Sequence, residues 1–546
     1  MSTAVAATED SRPNILLIVA DDLGYSDIGA FGGEIDTPNL DALADSGVRM
    51  TSFHTAPTCS PTRAMLLSGT DSHQAGLGNM AELLQPEQKG KPGYEGYLNT
   101  QVATLPEVLR GAGYHTYMAG KWHLGRSEEK SPARRGFEES YALIQGGASH
   151  FDDQRAIISK DPRAIYRENG KSVDLPKGFF SSEFYTDRLI SNIDSNLQDG
   201  KPFFAYAAYT APHWPLQAPD EYLEKYKGRY QQGYEKIRQA RLQRMKAEGI
   251  VDKSVSANQP FKEELPAWGE LTDEQRQIEA RRMEVYAAMV DNLDHHIGRL
   301  LDYLETKGEL DNTVIMFMSD NGADGNSPEL LPGNKQWFAT DYDNSLDNMG
   351  RQNSYIWYGP QWGQVGATPF PLYKGYTSQG GIVAPAIISY PGMKAKGEVN
   401  NSVISVMDVM PTFLELAGVE QPGQQFNGRQ VRSIQGVSML DAVEQGVSAD
   451  RVIGWELFGR RAIRKGDWKI RLLDAPYGNG EWQLYNLKAD PTEKSDLASA
   501  EPEKLAELVT DWQHYQELNG VYPSDPAKLR KIGYSFKTCL FDQCVN

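Results

Sequence analysis

The sequence has 546 residues, 40% of them hydrophobic and 23% charged, which is enough apolar material for more than one hydrophobic core. Its formal net charge of −18 argues against nucleic acid and anionic lipid as partners, and an anionic substrate would need local cations in its site. No stretch approaches the ~20 apolar residues of a membrane span. Residues 1–12 do not resemble a signal peptide, so we expect a cytoplasmic enzyme, or a periplasmic one if a leader has been removed.

The first predicted element is a buried strand at residues 14–20, which ends at Asp21 and Asp22. Two more continuous apolar runs, at residues 202–209 and 313–318, have the same character. Polar residues follow each run directly after its carboxyl end. In open α/β sheets that edge binds ligands, so we expect these polar residues to meet there.

A long helix is predicted between the second and third of these strands. Thr272 and Gln275 form a capping-box pattern, apolar residues follow at helical spacing, and Gly308 stops the run. Strands alternating with helices predict an α/β fold with a large, mostly parallel sheet and helices on both faces.

The character of the chain changes after about residue 418. Residues 452–473 and 482–487 alternate in the manner of antiparallel strands, and residues 501–516 are predicted to form a helix on them. We therefore expect two domains, a catalytic domain at residues 11–430 and a smaller C-terminal domain with an antiparallel sheet at residues 431–546.

Cysteine is rare, occurring only as Cys59, Cys539 and Cys544, so no disulfide framework is expected. Cys539 and Cys544 either close a small loop or are free thiols, and a reducing compartment favours the second. Cys59 opens an apolar helical run, with Arg63 one turn later, which would form a corner that receives an anion. A small buried hydrophobe is the alternative for Cys59.

Cys-x-Pro-x-Arg at residues 59–63, followed by Ser-Gly-Thr at residues 68–70, resembles the signature of the formylglycine-dependent sulfatases. In that family the cysteine is oxidised to formylglycine, and a hydroxyl of the hydrated aldehyde attacks sulfur. The resemblance extends over residues 14 to about 500 and is nearest to the bacterial arylsulfatases. Its further motifs are Asp21-Asp22, Gly120-Lys121-Trp122-His123-Leu124-Gly125, Ala211-Pro212-His213, Asp320-Asn321-Gly322, Lys374 before Gly380-Gly381, Met407-Asp408 and Gly466-Asp467-Trp468-Lys469.

The resemblance implies an alkaline-phosphatase-like fold and one divalent metal ion. Its ligands would be Asp21, Asp22, Asp320 and Asn321, together with the group made from Cys59. The side chains of Asp21, Asp22, Asp320 and Asn321 offer oxygen ligands. Oxygen ligands suit Ca²⁺ or Mg²⁺ and not zinc, and we favour Ca²⁺.

The resemblance also implies catalytic roles for basic residues. Lys121 and Lys374 would hold sulfate oxygens, and Arg63 would steady the diol. His213 would be the general acid for the leaving group, because the pKa of histidine lies near the operating pH. His123 would then break down the sulfated diol, releasing sulfate and restoring the aldehyde.

Asp320 would take the proton from the attacking hydroxyl of residue 59, besides binding metal. The implied partners are a small-molecule sulfate ester and a formylglycine-generating maturation enzyme, and the protein would be a monomer or a homo-oligomer. The aromatic-rich residues 334–370 and residues 80–97 are candidates for the wall of the leaving-group pocket. For residues 334–370 an ordinary packed excursion is the alternative.

Two other functions remain open on the sequence. A phosphate or phosphonate monoester hydrolase would use the same fold, although a phosphate dianion usually needs a second metal where this chain has Lys121 and Lys374. A non-catalytic protein that binds sulfate esters would require a broken site, whereas every motif residue is present. Aryl, alkyl and carbohydrate sulfates all fit the motifs.

Overall fold

The computed structural model describes residues 12–259 and 266–525, and the backbone of residues 539–540 and 543–544. The first half of the chain forms β1 Asn14–Ala20, α1 Pro38–Ser46, β2 Val48–His54, α2 Cys59–Ser68, α3 Leu105–Gly111, β3 His115–Lys121, β4 Glu139–Leu143, β5 Arg155–Ile158, β6 Asp161–Arg163, β7 Tyr166–Glu168, β8 Lys171–Val173, α4 Ser181–Asn196, β9 Phe203–Ala208, α5 Asp220–Lys225 and α6 Tyr234–Ala247. The second half forms α7 Asp273–Lys307, β10 Thr313–Ser319, α8 Asn334–Asp341, α9 Gly359–Gly366, α10 Gln379–Ile382, β11 Val383–Ser389, β12 Val399–Asn400, β13 Ile404–Ser405, α11 Val409–Leu416, β14 Gln425–Phe426, β15 Arg429–Gln430, α12 Leu440–Gln445, β16 Val452–Leu457, β17 Arg460–Lys465, β18 Trp468–Leu472, β19 Trp482–Asn486, α13 Pro502–Asn519, β20 Cys539–Leu540 and β21 Gln543–Cys544.

The large sheet has the strand order β12-β2-β11-β10-β1-β9-β3-β4-β7-β8, and β13 also pairs with β2. The five strands β10, β1, β9, β3 and β4 run parallel to their neighbours in this series, and antiparallel pairs flank them on both sides. The prediction of a mostly parallel sheet is therefore confirmed for its centre.

Strand β1 shows why the sheet carries helices on both faces. Ile15, Leu17 and Val19 point into one apolar core with helices α2, α3 and α11, whereas Leu16 and Ile18 point into another with α1, α4 and α7. Successive side chains of a strand alternate between its faces, so a continuous apolar run needs cover on both. Burying both faces stabilises the sheet through the hydrophobic effect.

Helix α7 is the long helix predicted from the sequence, and its ends are confirmed. Thr272 and Gln275 form the capping box, and Gly308 ends the helix with φ 75°, in the left-handed region that glycine adopts without strain. Within the described ranges, no helix combines the length and apolar character needed to cross a membrane.

The C-terminal part contains the predicted antiparallel sheet, in the order β16-β17-β18-β19. Helix α13 packs on it through Leu508 and Trp512, which meet Ile463, Ile470 and Leu484. The domain boundary at residue 430 stays a prediction. Strands β20 and β21 place residues 539 and 544 opposite each other, but whether the two cysteine side chains are bonded lies outside the described residues.

Candidate active site

The carboxyl ends of four parallel strands define the site. Asp21 and Asp22 follow β1, Lys121 ends β3, His213 lies beyond β9, and Asp320 follows β10. Because parallel strands end at the same edge of a sheet, their register brings these side chains together, as the sequence predicted. All of them are buried.

Cys59 is the first residue of helix α2, and Thr58 is its N-cap residue in extended backbone conformation. Every residue of α2 is buried, so the helix is a fixed support for Cys59. The positive end of the helix dipole therefore faces the site, where it favours an anion.

Asp21 and Asp320 are held by cations on the inner side of the site. The Lys121 ammonium group donates to both carboxylate oxygens of Asp21, at 2.8 and 2.6 Å. The Arg63 guanidinium group contacts Asp320 Oδ2 through Nε and Nη2, both at 2.8 Å, and its Nη1 donates to the carbonyl of Lys121 at 3.1 Å. Arg63 thus fixes two of the predicted site residues at once.

Asp22 is the centre of the outer side of the site. Its Oδ2 accepts from Lys374 Nζ at 2.8 Å and lies 3.4 Å from His213 Nε2. Its Oδ1 accepts from the side-chain amide of Asn321 at 2.6 Å. Asp22 has φ 69°, an uncommon conformation for a residue with a side chain, and such strain concentrates at functional sites.

The adjacent Asp21 and Asp22 carboxyls are disfavoured in their charged form by burial. Burial raises the pKa of Asp21 to about 7 despite the neighbouring Lys121, and burial raises the pKa of Asp22 well above its usual range despite Lys374. The site contains four buried carboxylates, Asp21, Asp22, Asp320 and Asp324. They face three permanent cations, Arg63, Lys121 and Lys374. One negative charge is left unbalanced.

A divalent metal ion fits this cluster. Ligand atoms of Asp21, Cys59 and Asp320 lie within 4.8 Å of one another, as do those of Asp21, Asp22 and His213. The side-chain oxygen of Asn321 is buried and has no hydrogen-bond partner among the described residues, although such oxygens are rarely left unpaired. A hard cation would give this oxygen a partner and would also offset the excess negative charge.

His123 connects Cys59 to a carboxylate. Its Nδ1 lies 3.6 Å from the sulfur of Cys59, and its Nε2 lies 3.3 Å from Glu82 Oε2. Burial lowers the pKa of His123, but Glu82 and Cys59 outweigh burial and raise it to about 9. Burial raises the pKa of the Cys59 thiol, but the two lysines and His123 hold it well below its usual range. The cysteine side chain therefore lies where negative charge is stabilised.

His213 has the opposite electrostatic environment. Burial, together with the positive charges of Lys374 and Lys121, holds the pKa of His213 well below its usual range, which disfavours protonation of its ring. Its Nδ1 lies 2.6 Å from the carbonyl of Trp214, which fixes the orientation of the ring. The predicted role as general acid therefore requires a bound anion that offsets the lysine charges.

Two residues of the site were missed by the sequence analysis. Asp324 accepts from Lys374 Nζ at 3.0 Å and from Trp214 Nε1 at 2.8 Å, and Glu82 contacts His123 as described. Asp324 lies four residues after Asp320, a spacing that could have indicated it. Glu82 lies on the short 3₁₀ helix Ala81–Leu83, within the predicted pocket segment 80–97, but it belongs to no motif that indicated a contact with His123.

A pocket that opens to solvent, with about 1070 Å³ of empty space including its open mouth, leads to Cys59, His123, His213 and Lys374. Its outer wall combines apolar side chains with an Arg126–Asp161 ion pair. The apolar lining includes Met80, Leu83, Ile157, Ile158, Trp214, Pro328 and Leu331.

Of the two segments predicted to form the pocket wall, only residues 80–97 contribute side chains to it. Met80, Glu82 and Leu83 confirm the contribution of residues 80–97. For residues 334–370 the structure supports the alternative of a packed excursion, because most of their aromatic rings pack against one another behind the wall. Phe338 and Tyr355, for example, have ring centroids 4.1 Å apart in a separate apolar cluster.

An α/β sheet whose carboxyl edge gathers buried carboxylates that could hold a metal ion, several cations and a buried cysteine is suited to a hydrolase that acts on a small anionic group. Comparison with known proteins identifies the group. A family model described as "Sulfatase" matches residues 13–419, and one described as "N-sulphoglucosamine sulphohydrolase, C-terminal" matches residues 373–517. The chain belongs to the sulfatase family, is a sulfuric ester hydrolase, and has the predicted alkaline-phosphatase-like fold.

Individual relatives agree with this assignment. An uncharacterized sulfatase of Schizosaccharomyces pombe is 47% identical over 528 residues, covering 94% of this chain and 95% of its own. An arylsulfatase of Klebsiella aerogenes is 41% identical over 435 residues, covering 79% and 92%. The crystal structure of Ps i-CgsB in complex with k-i-k-neocarrahexaose aligns with a TM-score of 0.68 at 25% identity, covering 96% and 98%.

Proposed function

We propose that the enzyme is an arylsulfatase-like hydrolase that uses formylglycine made from Cys59 and one divalent cation, Ca²⁺ in preference to Mg²⁺. The convergence of the ten predicted site residues on one buried cluster carries this proposal. Asp21, Asp22, Asp320, Asn321 and the group at position 59 would hold the cation. A maturation enzyme that oxidises Cys59 is implied as a partner, and the oligomeric state stays open.

The two groups that the proposal adds have defined chemistry. Hydrated formylglycine supplies a nucleophilic hydroxyl, and a divalent cation supplies positive charge for sulfate oxygens. Lys121 and Lys374 supply ammonium donors for the same oxygens, and Arg63 holds Asp320 in position to accept the proton of that hydroxyl. These donors are already ordered by buried ion pairs, so little reorganisation is needed during the reaction.

Two histidines would each carry out one of the proton transfers. One acts at the leaving group of the sulfate ester, and the other acts at residue 59. His213, on the pocket side of Asp22, would give a proton to the oxygen of the departing alcohol or phenol. His123, 3.6 Å from the Cys59 sulfur, would hold or remove a proton at the side chain of residue 59 when sulfate leaves. The pairing of His123 with Glu82 suits it to bind that proton.

Charge balance favours sulfate over phosphate. The four carboxylates and three cations leave one negative charge, which a divalent cation would convert into one positive charge. A sulfate monoester with its single negative charge matches that value, whereas a phosphate monoester dianion would leave one charge unpaired. Uncompensated charge in a buried site costs several kcal/mol.

The decisive experiment compares nitrophenyl sulfate with nitrophenyl phosphate on fully converted enzyme at matched concentration. We expect kcat/KM for the sulfate to be higher by on the order of 10²-fold or more, because each 1.36 kcal/mol of transition-state stabilisation is a factor of ten. The reverse ranking would refute the sulfate assignment and favour a phosphate or phosphonate monoester hydrolase. Sulfate-ester binding without turnover would favour a non-catalytic protein.

The apolar pocket wall and the Klebsiella arylsulfatase relative support an apolar leaving group. A phenol would bury its ring against Ile157 and Leu83, whereas the hydroxyl groups of a sugar would lose hydration there. We therefore expect nitrophenyl sulfate to be hydrolysed with a higher kcat/KM than a monosaccharide 6-O-sulfate. A preference for the sugar sulfate would contradict the assigned leaving group but not the hydrolysis of sulfate esters.

A further inference from the structure

Lys374 lies on an irregular segment, residues 371–378, between helices α9 and α10, which we call the Lys374 loop. Its ammonium group ends between Asp22 Oδ2 at 2.8 Å and Asp324 Oδ2 at 3.0 Å. Lysine has a flexible side chain, and a loop provides less support than a strand or helix. The position of this cation therefore depends on what holds the loop backbone.

The inner side of the Lys374 loop is bonded to the other site segments. The backbone N–H of Lys374 donates to the carbonyl of Ala323 at 2.9 Å, next to Asp324. The backbone N–H of Gly375 donates to the carbonyl of Pro57 at 2.7 Å, two residues before Cys59. Gly375 has φ 90°, a conformation that suits glycine. The N–H group of Gly375 thus joins the segment before Cys59 to the Lys374 loop.

The outer side of the loop is held by Arg460, at the start of β17 in the C-terminal sheet. Arg460 is 4% exposed, and its Nη1 donates to the carbonyl of Gly375 at 2.7 Å. Its Nε donates to Asp474 at 2.9 Å, and its guanidinium carbon lies 3.9 Å from the centre of the Tyr376 ring. One side chain therefore contacts the loop through a hydrogen bond and an aromatic face.

The C-terminal sheet also holds the start of helix α10. Glu493 accepts from the backbone N–H of Gln379 at 3.0 Å, and buried Lys469 contacts the side chains of Glu493 at 2.7 Å and Gln379 at 3.1 Å. The chain that follows Lys374, from Gly375 to Gln379, is consequently held by residues of the C-terminal part, and Arg460 is the one nearest to Lys374.

We propose that Arg460 is a positioning residue for sulfate ester hydrolysis, holding the Gly375 peptide so that the Lys374 ammonium group stays where it meets the sulfate. This inference rests on the proposed role of Lys374. The C-terminal sheet would then contribute to catalysis as well as to stability, because its Arg460 supports the loop that carries the Lys374 ammonium group.

The test is a double-mutant cycle with Arg460→Lys and Lys374→Ala, read out as kcat/KM for nitrophenyl sulfate. Lysine keeps the charge of Arg460 but cannot bond Gly375 and Asp474 in the same fork geometry. We expect Arg460→Lys to lower kcat/KM by on the order of 10- to 10²-fold in the wild-type background, the scale of a small misplacement of a catalytic group. In the Lys374→Ala background the further loss should be within about twofold, since coupled residues are not additive.

Arg464→Lys is the matched control. Arg464 is a buried arginine on the same strand, and it forms hydrogen bonds with Gly466, His54 and Ser52. The Arg464→Lys substitution should lower thermal stability about as much as Arg460→Lys does, while it changes kcat/KM by less than about twofold. Formylglycine content is measured for every variant, so that incomplete maturation is not read as lost positioning.

Equal losses from Arg460→Lys in both backgrounds, or no loss in either, would overturn the positioning role. Full activity in Lys374→Ala would also overturn it, while leaving the hydrolysis of sulfate esters intact. By contrast, a fully converted wild-type enzyme that fails to hydrolyse any sulfate ester would refute the proposed function itself.

Discussion

Asp324 provides the sharpest test of the electrostatics around Lys374. All four of its described hydrogen-bond partners are donors. Oδ2 accepts from Lys374 Nζ and Trp214 Nε1, and Oδ1 accepts from the backbone and side-chain N–H groups of Asn326. Asp324→Asn keeps the shape but replaces one acceptor oxygen with an NH₂ group that must face donors.

The magnitude follows from these contacts. A hydrogen bond to a charged group contributes about 1.5–3 kcal/mol, and Lys374 would lose one of its two carboxylate partners. Lys374 would then be drawn toward Asp22 alone. If that cost appears in the transition state, kcat/KM for nitrophenyl sulfate should fall by on the order of 10- to 10²-fold. Bound divalent metal should be retained, because Asp324 lies outside the ligand clusters.

The assay combines steady-state kinetics with the metal content of purified, fully converted protein. Asp408→Asn is the control, since Asp408 is a buried aspartate that pairs with Arg451 outside the site. It should lower stability without a comparable loss of kcat/KM. Unchanged kinetics in Asp324→Asn, or a loss that simply follows lost metal, would refute this account of Lys374.

Two further predictions concern metal and pH. A chelator should abolish turnover, and Ca²⁺ should restore more of it than Mg²⁺ at equal concentration; recovery with Zn²⁺ alone would contradict the oxygen-ligand site. Burial lowers the pKa of His73, but Asp71 and Glu456 outweigh it and raise the pKa from 6.5 to about 9. This stabilisation is complete below about pH 6.5 and is lost as pH rises through 9. His73→Gln should therefore lower the free energy of unfolding by about 3 kcal/mol near pH 6 and by less above pH 9 in urea titrations, and a pH-independent difference would count against it.

The sheet and the site positions were predictable because each depended on a local pattern. Residues 14–20 are apolar on both faces, which only a central strand accommodates, and Asp21 and Asp22 then fall at the ligand-binding edge. The capping residues around α7 were equally local. The ten predicted site residues were found together because each belongs to a motif, although their individual roles stay predictions.

What the sequence did not predict depended on contacts between distant segments. Glu82 reaches His123 across 41 residues, and Arg460 reaches Gly375 across 85, and neither pair has a short-range signal. The aromatic content of residues 334–370 was compatible with a pocket wall or a packed cluster. Composition alone could not show that Phe338 and Tyr355 face each other instead of the substrate pocket.

The most direct test of the central claim is the turnover of nitrophenyl sulfate as a function of the converted fraction of residue 59. Mass spectrometry of the peptide gives that fraction, because formylglycine is about 18 mass units lighter than cysteine. We predict that turnover per protein molecule rises in proportion to conversion and extrapolates to zero for protein that retains only Cys59. Full turnover by unconverted protein would contradict the formylglycine mechanism.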